Sequence, residues 1–403
     1  MIQTLKQNPK ILIFGLLTAF FSGPGQTFLV SLFAPAIGKS FDLSQAQFGG
    51  IYSAATLLGA IALPFLGRML DRMELLKFTL FMGTCLSLGC FTLSFTHSIL
   101  GVLIGLFMIR SFGHGALSLI SSTTTAKFFH LSRGTALSIT TLGHPLASAC
   151  FPVLVTFWIF NYGWRSGWLF LALLILLMFL PIIFFLLKGQ KLLTSNDTPK
   201  EHTGLSKQKL FKDPLFYFAT FAGSIPPFVL TGLFLYQILI GQWKGWSISL
   251  MAAAFIVFSL FRAGTSLVIG PMIDKFSAKR MLKFHIIPLS LAIITLLYGT
   301  SIYWVFPYLM LCGITIGFGM PTKAAFWAES YGTDNLGSIK GINSFFELFA
   351  TALSPVILGV LFDLNISFEI ILISLLVICF IGLIAGRTAS NIAVKRDIQT
   401  QFT

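Results

Sequence analysis

A chain of 403 residues that is 56% hydrophobic and only 10% charged, with a mean hydropathy of +0.88, lies far outside the range of soluble globular domains. The formal net charge of +14 does not point to nucleic acid, because the cations are spread over short loops between apolar runs and not gathered on one polar face. The five cysteines (Cys85, Cys90, Cys150, Cys312, Cys379) all fall inside apolar runs, with no CxxC and no histidine at ligand spacing, so neither a disulfide framework nor a metal site is expected.

Twelve apolar segments can be drawn, each near the ~20 residues that a helix needs to cross the hydrocarbon. They run over 11–36, 48–67, 78–95, 99–126, 135–160, 166–187, 215–240, 247–269, 281–300, 304–326, 339–362 and 368–386. Lys6 and Lys10 before the first run, with Ala34-Pro35-Ala36 near its end, imitate a signal peptide; the run is longer than the roughly 7 to 15 residues of such a core and reads as an uncleaved first span. The expected organisation is an N-terminal six-helix bundle over 1–187, a lysine-rich linker over 188–213, a C-terminal six-helix bundle over 214–387 and a tail over 388–403.

Assigning alternate loops to one side of the membrane places 21 of the 27 cations there and leaves Lys39, Arg165 and Lys244 on the other. The bias predicts that both termini are cytoplasmic, which requires an even number of spans. Three cations, Arg110, Arg262 and Lys323, remain within spans.

Several polar features interrupt the spans. Ser22-Gly23-Pro24-Gly25-Gln26-Thr27 breaks segment 1 near its middle, and irregular backbone at that depth is tolerated where it lines a cavity. Gln26, with Tyr236 and Gln237 in the corresponding segment 7, can present hydrogen-bonding groups to a solute. Arg110 lies in the middle of segment 4 with His114 one helical turn on, so both face the same way. A guanidinium at that depth faces the protein interior or a water-filled cavity; it serves either as a structural donor to a neighbouring carbonyl or as an anion site, with His114 able to titrate near neutral pH. His144 precedes Pro145 and can satisfy carbonyls freed there.

Arg262 sits in segment 8, and Glu347 in segment 11 is the carboxylate well inside a span. Glu347 can carry protons, pair with Arg262, or bond Asn343 on the previous turn. Lys323, near the end of segment 10, is expected to snorkel to the interface.

One short loop occurs twice. Gly67-Arg68-Met69-Leu70-Asp71-Arg72 returns 203 residues later as Gly270-Pro271-Met272-Ile273-Asp274-Lys275, which implies an internal duplication of the two halves. A glycine there lets a neighbouring helix approach, and the aspartate can face another helix's N-terminus.

Gly67, Leu70, Asp71, Arg72 and Lys77, with the second copy, resemble the loop signature of the major facilitator superfamily of secondary transporters. The resemblance implies that Gly67, Asp71, Arg72, Gly270, Asp274 and Lys275 form a conformational latch between two rocking halves, and that spans 1, 4, 7 and 10 line the cavity. The sequence departs from the pattern seven residues after each glycine, where Glu74 and Ser277 replace the family's glycine. The segment 8 arginine is similar to that of the monocarboxylate and oxalate-formate branch, in which it binds a substrate carboxylate; in that branch it lies about one turn closer to the loop, at the position of Ser266 here. Lys127-Phe128-Phe129, Arg133-Gly134, Gly163-Trp164-Arg165 and Glu329-Ser330-Tyr331-Gly332-Thr333 are further points of likeness.

No phosphate-binding Gly-Lys-Ser/Thr loop and no His, Ser and Asp constellation outside the bilayer is present, so the chain lacks the parts of an ATP-driven pump or an enzyme. The expectation is an all-α membrane protein of twelve transmembrane helices that takes up a small anionic, carboxylate-bearing solute with protons. It is expected in the cell membrane, the inner membrane if bacterial, as a monomer without cofactor. Arg110, Arg262, Gln26, Tyr236 and Gln237 are the candidate solute contacts, and His114 and Glu347 the candidate proton carriers. The alternatives are a larger polar solute (an amino acid, a nucleoside, a polycarboxylate metal chelator) or a membrane sensor that binds without transport.

Overall fold

In the computed structural model the described residues are 8–129, 133–188, 210–332 and 336–401. The lysine-rich linker drawn from the sequence falls almost wholly outside them. Among the described residues, twelve helices are long and apolar enough to cross a membrane. They are α1 (Pro9–Ser40), α2 (Gln45–Arg72), α3 (Leu75–Phe95), α4 (Ile99–Phe128), α5 (Ala136–Tyr162), α6 (Trp164–Leu187), α7 (Pro214–Leu235), α8 (Ile248–Phe276), α9 (Ala278–Tyr298), α10 (Ile302–Tyr331), α11 (Gly341–Asp363) and α12 (Phe368–Asp397).

Local sequence sets where several of these helices start and stop. Ser44 and Gln47 form a reciprocal capping box at the head of α2, and Ser98 and Ser247 accept the amides of Gly101 and Leu250 at the heads of α4 and α8. Gly163, at φ 83°, makes the sharp turn from α5 into α6, and Gly332, at φ 76°, ends α10.

By their contacts the described residues form two compact units. Unit 1 contains α1 to α6 together with the five residues Phe234–Ile238, and unit 2 contains the rest. In unit 1, α1 packs on α4 and α5, and α3 on α6. Buried aromatic rings fill the space between: Phe21 lies against Phe179 at 4.8 Å between ring centroids, and Phe33 stacks on Trp168 at 4.0 Å. In unit 2, α10 packs on α8 through Gly313 and Gly317. A Cβ on either would collide with the backbone of Phe258 or Arg262, so the two helices touch main chain to main chain, as small-xxx-small spacing permits.

The last helix runs from Phe368 to Gln401 without interruption, past the point where the sequence suggested a separate tail. Its far end is tied into unit 2. Arg396 donates to both oxygens of Asp213 at 2.8 and 2.6 Å, Tyr331 Oη donates to the same carboxylate at 2.8 Å, and Lys279 pairs with Asp397 at 2.5 Å. Partial burial acts to raise the Asp213 carboxyl, but the bonds from Arg396, Tyr331 and the Leu215 amide outweigh it and hold it below the usual carboxylate value. A carboxylate with a depressed native pKa adds stability that is present above its unfolded pKa and is lost as pH falls through the native one. Asp213→Asn is therefore expected to lower the melting temperature at pH 7. The gap from wild type should close below the Asp213 native pKa, as thermal unfolding measured across pH 7 to 3 will show.

Candidate functional site

The break in α1 begins the site. The helix stops at Phe21, makes a single tight turn over Gly23–Gly25 and resumes at Thr27, so the Gly25 carbonyl has no partner within α1. Arg110 Nη1 donates to that carbonyl at 2.7 Å, and Arg110 Nε donates to Thr56 Oγ1 on α2 at 3.1 Å. The guanidinium also lies 5.2 Å from the centre of the Tyr52 ring, whose hydroxyl shares a 2.7 Å hydrogen bond with Thr27 Oγ1. Arg110 is 4% exposed, and among the described residues it has no carboxylate partner. Of the two roles weighed from the sequence, this geometry shows the structural one: two acceptors hold the guanidinium, and no described carboxylate balances its charge.

The backbone around Arg110 is not an ordinary α-helix. Ile109–Leu117 forms a wide π-type stretch inside α4, a distortion that recurs at functional sites. It is there that α1 and α4 cross closely. A Cβ on Gly25 would collide with the Ile109 carbonyl and the His114 amide, and one on Gly113 would sit 3.2 Å from the Gly25 nitrogen. Glycine at 113 is what permits the crossing. Gly25→Ala should force the two backbones apart and lower thermal stability by about 1–3 kcal/mol, the usual range for overpacking. An unchanged melting temperature would show that the crossing is looser than described.

The remaining polar groups of the α1 break form a chain. Gln26 Nε2 lies 3.5 Å from Ser22 Oγ, which shares a 3.2 Å hydrogen bond with His144 Nδ1 on α5. His144 therefore bridges to α1, a tertiary role, in addition to any bond to its own broken helix. His114 is half-buried on the π-type stretch.

The helical run drawn across 215–240 is in fact two pieces, α7 to Leu235 and a short helix Gln237–Lys244, with Tyr236 at the joint. Tyr236 Oη donates to the Gln45 carbonyl at 2.9 Å. Gln237 Nε2 donates to the Phe28 carbonyl at 3.2 Å and to Ser31 Oγ at 2.6 Å, while its Oε1 is buried and accepts from no described residue. Both candidates are thus engaged by α1 and α2 in this conformation.

In unit 2, Arg262 is half-buried on α8, and its guanidinium has no hydrogen-bond acceptor or carboxylate among the described residues. The pairing with Glu347 that the sequence allowed is absent, because Glu347 is taken by Lys323. Their Nζ and Oε1 atoms are 2.7 Å apart, and Asn343 Nδ2 donates to the same oxygen at 2.9 Å. Lys323 accordingly turns into the helix cluster and does not snorkel. The partner was not legible because residues 323 and 347 lie on different helices, whose relative rotation no local spacing specifies. Ser266, at the place where the resembling branch carries its arginine, donates to the Gly317 carbonyl of α10 at 3.2 Å.

A family model described as Major Facilitator Superfamily matches residues 15–253 and 228–396. The chain belongs to the major facilitator superfamily. It is similar to the uncharacterized MFS-type transporter YcxA of Bacillus subtilis (strain 168), with 25% identity over 402 residues, covering 94% of this chain and 95% of the relative. Its fold is that of a crystal structure of a bacterial homolog to the human lysosomal transporter Spinster, in an inward-facing and unoccupied conformation. The TM-score is 0.74 at 14% identity, over 96% of this chain and 97% of the other. The protein is therefore a multi-pass membrane transporter of the superfamily.

Within that superfamily fold the two copies of the repeated loop differ. Asp71 pairs with Lys127 at the end of α4 at 2.7 Å, both side chains being well exposed. In the second copy the carboxylate on a helix N-terminus is Glu329, which accepts from the Ala278 and Lys279 amides at 2.9 and 3.2 Å and from Ser277 Oγ. Asp274 and Lys275 line a polar cleft of about 440 Å³ together with Ser277, Arg280, Glu329 and Asp397. Neither loop glycine is a point of close approach here: a Cβ on Gly67 would meet Leu119 at 3.7 Å, and one on Gly270 would meet nothing within 4 Å.

Proposed function

We propose that this superfamily transporter takes up a small carboxylate-bearing anion together with protons, in the manner of the monocarboxylate and oxalate-formate branch, with both termini in the cytoplasm. The observation that carries the proposal is the pair of guanidiniums within the spans that no described carboxylate balances. Arg110 is held by a carbonyl and a hydroxyl, and Arg262 has no acceptor among the described residues. Isolated cations at membrane depth are retained where an anion or water meets them. Gln26 beside the α1 break, with Tyr236 and Gln237 once the segment 234–238 lets go, supplies neutral hydrogen bonds to the rest of the solute. His114 and Glu347 supply the titratable groups.

The latch residues Gly67, Asp71, Arg72, Gly270, Asp274 and Lys275 act on the rate of interconversion and not on affinity. An exposed ion pair such as Lys127 with Asp71 contributes under about 1 kcal/mol. Asp71→Asn is therefore expected to leave the melting temperature and solute affinity unchanged and to alter flux alone.

A thermal-shift comparison of the purified protein tests the proposal, since a ligand of the native state raises apparent stability by mass action. Carboxylates such as lactate and succinate should raise the melting temperature, more so at pH 5.5 than at 7.5, and lose that effect in Arg262→Gln. A rise only with amino acids, nucleosides or metal chelators would assign the cations a structural role.

A further inference from the structure

Lys323 and Glu347 form the ion pair that joins three helices. Lys323 on α10 reaches Glu347 Oε1 on α11 at 2.7 Å and the Gly223 carbonyl on α7 at 3.3 Å, and Asn343 donates to the same Oε1 at 2.9 Å. Gly223 makes the room, for a Cβ there would stand 3.3 Å from Lys323 Cδ and 3.4 Å from Glu347 Oε1. The donors all converge on one carboxylate oxygen. Glu347 Oε2 accepts from no described residue, and Lys323 donates to two described acceptors where its ammonium can serve three. The two side chains are 17% and 23% exposed although both lie inside spans, and ionisable groups at that depth characteristically face the bundle interior or water. Among the described residues a further titratable group faces the pair from α9: His285, whose Nε2 contacts the Ala222 carbonyl at 3.2 Å and whose Nδ1 contacts the Leu282 carbonyl, interacts electrostatically with both Lys323 and Glu347.

We propose that Lys323 is a binding residue for the solute's carboxylate and that Glu347 holds it in reserve until Glu347 takes up a proton. This rests on the carboxylate reading given above. A proton arriving from water adds to Glu347 Oε2 and turns the carboxylate into a neutral acid, which removes its charge attraction for the ammonium. Lys323 stays protonated and turns its donors to the incoming carboxylate. When the solute leaves, Glu347 returns its proton and the internal pair re-forms. Either event alone is costly: a proton without solute leaves Lys323 unpaired, and solute without a proton leaves Glu347 unpaired. Coupling follows from that penalty. One proton and one monoanion cross together, so no net charge moves.

Lactate serves as the probe, in thermal-shift titrations of the full-length protein and in proteoliposomes. Glu347→Gln should bind lactate at pH 7.5 as tightly as wild type does at pH 5.5, and should exchange lactate without accumulating it against a gradient. Lys323→Gln should bind at least tenfold more weakly at both pH values, and Lys323→Arg should bind nearly as wild type. If Lys323→Gln does not fold, the doubly neutral Lys323→Gln/Glu347→Gln variant replaces it and should fold without binding lactate. Wild-type flux should be insensitive to an imposed membrane potential. Lactate binding of wild-type strength and pH dependence in Lys323→Gln or the double variant, or flux driven by potential alone, would overturn the proposal while leaving the separate readings of Arg110 and of Arg262 intact. Failure of the wild type to bind any carboxylate would instead remove the carboxylate reading, and this proposal with it.

Discussion

Arg110→Gln is expected to reduce carboxylate affinity on the order of 100-fold, which corresponds to ~2.7 kcal/mol, and to lower thermal stability. The guanidinium makes two hydrogen bonds, to the Gly25 carbonyl and to Thr56 Oγ1, and lies over the Tyr52 ring. Hydrogen bonds to charged groups are each worth about 1.5–3 kcal/mol, and removing the donor leaves a carbonyl unsatisfied at membrane depth. Stability alone would not distinguish a scaffold from a site, so Arg110→Lys is the informative partner. Lysine keeps the charge but loses the planar fork that engages two acceptors at once. If the charge attracts the anion, Arg110→Lys should recover part of the affinity while still melting early. If both variants bind and transport as wild type does, Arg110 only braces the α1 break.

Glu347→Ala should destabilise unit 2 by up to about 3 kcal/mol, because breaking a largely buried pair leaves the partner charge uncompensated. Lys323 would then face only the Gly223 carbonyl, and Asn343 Nδ2 would lose its acceptor. Replacing both members, as in Lys323→Met/Glu347→Leu, should restore most of the melting temperature, since an apolar pair of similar volume often equals or exceeds a buried ion pair. The double-mutant cycle isolates the pairwise contribution. Additive effects of the two single changes would mean that the 2.7 Å contact carries little energy and that the pair is hydrated.

The number and order of the spans were legible because length and hydropathy alone decide what can cross a bilayer. The break at Ser22 to Thr27 was legible for a similar reason, since proline and paired glycines cannot continue a helix unaided. Arg110 was readable as an interior group, but its acceptor was not: the Gly25 carbonyl is exposed by the break, and only the crossing of α1 and α4 brings the two together. That crossing depends on Gly25, Gly113 and the widened turn over Ile109–Leu117, and a π-type turn has no sequence period of its own to announce it. The Gly313 and Gly317 contact with α8 had a signal in its four-residue spacing, lost in a segment rich in glycine throughout. Lys323 was misread as snorkelling because the long aliphatic stem permits that as readily as it permits pairing; the rotation of α10 against α11 decides between them.

The most direct test of the central claim is uptake of labelled lactate and succinate into proteoliposomes under an imposed pH gradient, acidic outside. The account predicts accumulation that follows the gradient in the wild type and is abolished in Arg110→Gln and Arg262→Gln. Flux of a neutral or zwitterionic solute instead, with carboxylates inert and both arginine variants as active as wild type, would contradict it.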